Sequence, residues 1–142
     1  MRKRLLAVFA TMIMAFSFAP PAEAHVETCT LSAYSPKIVV EHILRASVRW
    51  YCTPPTHHEF NHIDVRVQYK IVHMFWPDGW ATIPPNNYFN TTSMNGTAYD
   101  AVYCANGTKT YRTHFSFDMY GTEGVRHHST NSGETTKKCG FR

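Results

Sequence analysis

The chain has no Cys-x-x-Cys pair, no glycine-rich phosphate loop and no serine set in a nucleophile elbow. It carries no dense run of Lys or Arg, no internal repeat and no low-complexity tract. Charged residues make up only 17% of it. These absences speak against a thiolate zinc site, nucleotide binding through a phosphate cradle, and nucleic acid as a partner. No stretch beyond residue 24 is apolar enough to span a bilayer, so the mature chain is expected to lack a transmembrane segment.

The first 24 residues read as a signal peptide. Arg2, Lys3 and Arg4 form a positive start, Leu5 to Ala19 is uncharged and apolar, and Ala22-Glu23-Ala24 places small residues at a peptidase site. Cleavage before His25 leaves residues 25–142, enough for a single domain. Three of the 14 basic residues leave with the signal, so the mature net charge is about +2. The expected destination is secreted, extracellular.

Four cysteines remain, Cys29, Cys52, Cys104 and Cys139, an even number in an oxidising compartment. They predict two disulfides, and of three possible connectivities sequential pairing is preferred. A Cys52–Cys104 bridge between sheets is the rival. It would bring a tyrosine two residues before the second cysteine, where Val102 stands.

Past the signal, the hydrophobic period is two rather than 3.6. Leu44, Ala46, Val48, Trp50 and Cys52 alternate with polar neighbours until Pro54-Pro55. Ile63, Val65, Val67, Tyr69 and Ile71 alternate likewise in a run extending to Trp76 and a tight turn at Pro77-Asp78-Gly79. Ala98 to Cys104 and Tyr111 to Met119 form two more such runs, joined by an Asn106-Gly107 hairpin. Residues 83–96 read as a loop with one short edge strand, and Gly121 to Gly133 as a polar surface loop. The expectation is an all-β, antiparallel, immunoglobulin-like sandwich of about six to eight short strands. Asn-x-Thr sequons lie at Asn90, Asn95 and Asn106, and Asn95-Gly96 and Asn106-Gly107 also suit turns.

The framework of Cys29, Val-Arg-Trp-Tyr-Cys52-Thr-Pro-Pro, Tyr103-Cys104-Ala-Asn-Gly107-Thr-Lys-Thr-Tyr111-Arg112 and Cys139 resembles small exported proteins common in actinobacteria. Ala105-Asn106 stands where that group carries Pro-Gly. The resemblance implies a bacterial, exported, immunoglobulin-like sandwich without an assigned activity.

Three constellations bear on chemistry. His58-Glu59-Phe60-Asn61-His62 matches the zinc-protease string, in which two histidines on one helical turn hold the metal and Glu59 acts as base. Here it sits between prolines and a strand, so a loop over residues 57–63 is expected. His25, as a new N-terminus, offers an amine and an imidazole to copper. Copper proteins with a histidine brace, such as lytic polysaccharide monooxygenases and periplasmic copper carriers, are similar in that respect. Third, Phe75, Trp76 and Trp80 bring three large rings close to one turn. Burial under a second sheet is the commoner fate of the Val72, Met74 and Trp76 face, and an exposed binding surface for a glycan or a protein is the alternative. With no complete catalytic set, the sequence favours a non-catalytic exported binding or interaction domain, associated with a cell surface or glycan. Copper binding and zinc proteolysis are the alternative functions.

Overall fold

In a computed structural model, residues 29–53 and 58–140 are described, and all of their regular structure is β. The segment read as a signal peptide and His25 lie outside the described residues.

The strands are β1 (Cys29–Val40), β2 (Ile43–Cys52), β3 (His58–Ile71), β4 (Gly79–Thr82), β5 (Asn87–Thr91), β6 (Asn95–Tyr103), β7 (Gly107–Gly121), β8 (Gly124–Asn131) and β9 (Thr135–Cys139). One sheet has the order β1-β2-β6. In the other, β3 and β7 lie side by side, β4 and β5 share the outer edge of β3, and β8 and β9 share that of β7. Every pairing is antiparallel.

Both shared edges are interrupted. Between the pairs Val65↔Asn87 and Gln68↔Thr82, two residues of β3 face four on its partner line (83 to 86), and Pro84 and Pro85, which lack amide hydrogens, occupy the excess. On the β7 edge, two residues (112 and 113) face three (132 to 134), a one-residue bulge. Ser132 fills the gap in the ladder. Its amide donates to Thr113 O at 2.9 Å, and its hydroxyl accepts the Thr113 amide at 2.8 Å. The Thr113 hydroxyl donates to Tyr34 O at 2.6 Å, so β1 is tied to the far sheet at this point.

The period-two pattern places the core. Leu44, Ala46, Val48 and Trp50 of β2 and Ala98 and Val102 of β6 face Ile63, Val65 and Val67 of β3 and Tyr111, Phe115, Phe117 and Met119 of β7. Trp50 stands at the centre, its ring 6.3 Å from Phe115 and 6.1 Å from Phe117. Such residues each stabilise by about 1.5–3 kcal/mol when fully buried. Two polar side chains of this layer share one acceptor: Trp50 Nε1 and Asn61 Nδ2 both donate to Ser93 O, at 3.2 and 3.0 Å.

The disulfides are sequential. Cys29–Cys52 joins directly paired positions of β1 and β2, and Cys104–Cys139 joins the end of β6 to β9 in the opposite sheet. The all-β sandwich and the preferred pairing are therefore both found.

Three local readings need correction. Residues 58–63 are not a loop but the start of β3, because all but the bulged Glu59 find a partner on β7, and residues 61–63 pair with β5 as well. The polar stretch 121–133 contains β8, which pairs with the outer edge of β7 and so needs no apolar face to form. Neither Asn-Gly pair makes a hairpin turn: Asn95-Gly96 is the first two residues of β6, and Asn106-Gly107, with Gly107 at φ 90°, carries the chain from β6 to β7 in the opposite sheet, so the two runs it joins do not pair.

Candidate functional site

The β3 run was expected to continue through Trp76 into a tight turn. Instead the ladder to β4 ends at Ile71↔Gly79, and residues 72–78 form a loop. Its tip is apolar and uncovered: Met74 is 88% exposed, Phe75 86% and Trp76 76%. Val72 is exposed as well. The base of the loop is held. Lys70 Nζ lies 3.5 Å from the Asp78 carboxylate and 3.7 Å from that of Glu134. Trp80, opposite Lys70 in the ladder, sits beneath the Arg112 guanidinium at 4.1 Å from its ring centre. Arg112 also donates from Nε to Gln68 Oε1 at 2.9 Å. Of the three rings singled out from sequence, Phe75 and Trp76 thus share the exposed tip, whereas Trp80 belongs to its footing.

The His58–His62 string lies along β3, where residues four apart are separated by about 13 Å. The single helical turn that would converge both imidazoles on one metal is not formed. His62 Nδ1 donates instead to Asn90 Oδ1 at 2.9 Å. Similar cross-strand bonds run over the outer face of this sheet, from His114 Nδ1 to Asn131 Oδ1 at 2.9 Å and from His127 Nδ1 to Asp118 Oδ1 at 2.8 Å. Among the described residues no three His, Cys, Asp or Glu side chains gather as a metal-binding group. His25, the copper candidate, falls outside the described residues.

Two carboxylates lie in or beside the interior. Burial pushes the Asp64 carboxyl upward, but bonds donated by Arg66 and by Asn86 (Nδ2 to Oδ1, 3.1 Å) outweigh this and hold it below the usual range. Asp100 on β6 is pushed up to about 6, chiefly by burial, against bonds from the Val67 and Ala101 amides. Its Oδ2 has no hydrogen-bond partner among the described residues.

The outer face of the β1-β2-β6 sheet escaped sequence reasoning. Across it, Tyr34, Ser47 and Tyr99 stand in one paired row, with Arg45 and Arg49 on either side of Ser47 along β2. They enclose a concavity of about 640 Å³. In sequence these residues are only the polar half of alternating strands. The available signal was that this half contains arginine and tyrosine and no acid.

No known protein family's sequence profile matches the chain, and no curated protein matches it either.

Proposed function

We propose that this protein is an exported, non-catalytic binding domain of immunoglobulin-like type, which engages an apolar surface on a partner protein through the tip of the 72–78 loop. The fold reading is supported by strand order: β1, β2 and β6 form one sheet, and β3, β7 and the strands along their outer edges form the other. Tyr111 adds to it. Near the start of β7 its hydroxyl donates back to Ala105 O at 3.3 Å, as a tyrosine corner does. Export is supported by the two disulfides, which persist in oxidising compartments. Among the described residues no helix is long and apolar enough to cross a membrane.

The observation that carries the binding reading is the tip itself. Met74, Phe75 and Trp76 are consecutive, apolar and almost wholly exposed. Water solvates such a cluster poorly, whereas aromatic side chains on a held loop make effective anchors in a partner's pocket. The footing of Lys70, Asp78, Trp80 and Arg112 limits the entropy lost when the tip is captured.

The test is the double variant Phe75→Ser, Trp76→Ser. Its stability should stay within about 0.5 kcal/mol of wild type, because neither ring is packed. In fractionated cultures of the producing cell, the wild-type protein should remain partly with the cells and the variant should move to the medium. Equal partitioning would end this reading, as would a loss of several kcal/mol.

A further inference from the structure

We infer that the outer face of the β1-β2-β6 sheet is a second binding site, and that its ligand is an acidic polysaccharide. Register builds the site. Ser47 pairs with Tyr34 on one side and Tyr99 on the other, so the rings flank a small floor residue about two strand spacings, or 10 Å, apart. Arg45 and Arg49 project from the same face of β2, each about 7 Å from Ser47 along the strand. A smaller hollow of about 340 Å³ adjoins it through Tyr34, Arg45 and Ser47 and reaches Lys37.

The charge on this face has one sign. Asp100 is the only acid within the three strands, and it points inward. Among the described residues Lys37, Arg45 and Arg49 have no carboxylate partner. Arg45 rests over the Tyr99 ring at 5.3 Å, which holds the guanidinium at the rim and leaves its in-plane N–H groups available. Exposed tyrosine rings offer flat apolar faces that match the C–H faces of a sugar ring. The arginine forks match carboxylates with two parallel bonds. A neutral glycan would leave both forks unused, and an apolar protein surface would strand them without solvent.

The loop tip and this face are separate surfaces on different sheets, so each is tested apart from the other. Affinity electrophoresis of the exported protein through polygalacturonate, its fully methyl-esterified form and oligothymidylate reads the site directly. Polygalacturonate should retard the wild-type protein, less so as salt is raised. The methyl ester and the oligonucleotide should not. Arg45→Gln with Arg49→Gln should weaken retention by at least roughly tenfold, the equivalent of one charge-assisted hydrogen bond. Tyr99→Ala should weaken it too. Lys137→Gln with Lys138→Gln removes the same charge from the other sheet and should leave it unchanged, as should Phe75→Ser with Trp76→Ser. Thermal melts confirm that each variant is folded. The inference is overturned if polygalacturonate fails to retard the wild type or if the ester or oligonucleotide binds as well. It is equally overturned if the two double-charge variants lose retention alike.

Discussion

Gly96 owes its place to Trp50. A Cβ at position 96 would lie 2.6 Å from the Trp50 ring, and β2 and β6 pair these two residues directly. The indole therefore occupies the space of a missing side chain, which is how one large ring is accommodated between Phe115 and Phe117. Asp100 presents the opposite case, a buried group that costs stability when ionised. Its carboxyl is raised from the ordinary 3.8 to about 6 in the fold, so the folded state binds the proton more tightly. Acidification from above pH 6 to about 4 therefore adds stability, and below that the gain is complete. Asp64 behaves in reverse: its lowered carboxyl contributes above the ordinary carboxylate range, and that contribution is lost as the pH falls through its folded value. Asp100→Asn should raise stability at pH 8 by an amount on the order of 1–3 kcal/mol, and the gain should shrink to nothing near pH 4. Urea melts of both proteins across that range check the sign. A constant difference at all pH values would remove the charge as its cause.

Among the elements, those with one buried face were legible in the sequence and those shaped by their neighbours were not. β2, β6 and β7 bury alternate residues, and the runs Leu44 to Cys52, Ala98 to Cys104 and Tyr111 to Met119 locate them, although β6 begins earlier, at Asn95, and β7 extends from Gly107 to Gly121. β8 has no such face, since Arg126, His127 and Ser129 are polar and the strand exists because the β7 edge offers hydrogen bonds. The exposed tip lay within a legible motif, but its burial depended on whether a second sheet covered it. The Tyr34–Ser47–Tyr99 row depended on register across three strands, which no local pattern encodes. The corner residue was missed because a tyrosine was sought before Cys104, whereas the cysteine precedes β7 and Tyr111 lies within it. Tyr111→Phe keeps the buried ring and removes its bond to Ala105. The expected cost is about 0.5–1.5 kcal/mol in a chemical melt, with the fold unchanged by circular dichroism. No measurable cost would show that the corner bond is idle.

For the whole molecule, the two bridges act on different boundaries. Cys29–Cys52 closes 23 residues of chain within one sheet, and Cys104–Cys139 closes 35 residues across the sandwich. Loop-closure entropy gives each roughly 3–4 kcal/mol by constraining the unfolded chain. Reduction should therefore lower stability by most of a small domain's margin, with Cys104→Ser/Cys139→Ser alone leaving the two sheets joined by packing and by hydrogen bonds such as that from Thr113 to Tyr34. Mass spectrometry of the unreduced protein should find no free thiol, and one detected would refute the pairing.

The interrupted edges bear on how copies of the protein meet one another. A sheet's outermost strand is a template on which another chain can add, and long flat templates seed aggregates. Here one edge of the larger sheet is divided into segments of four and five residues by a step containing Pro84 and Pro85, and the other into eight and five by the Ser132 bulge. Ser132 and the prolines thus leave the larger sheet only short templates, so that any chain adding as a strand would have to do so on the smaller sheet, along β1 or β6.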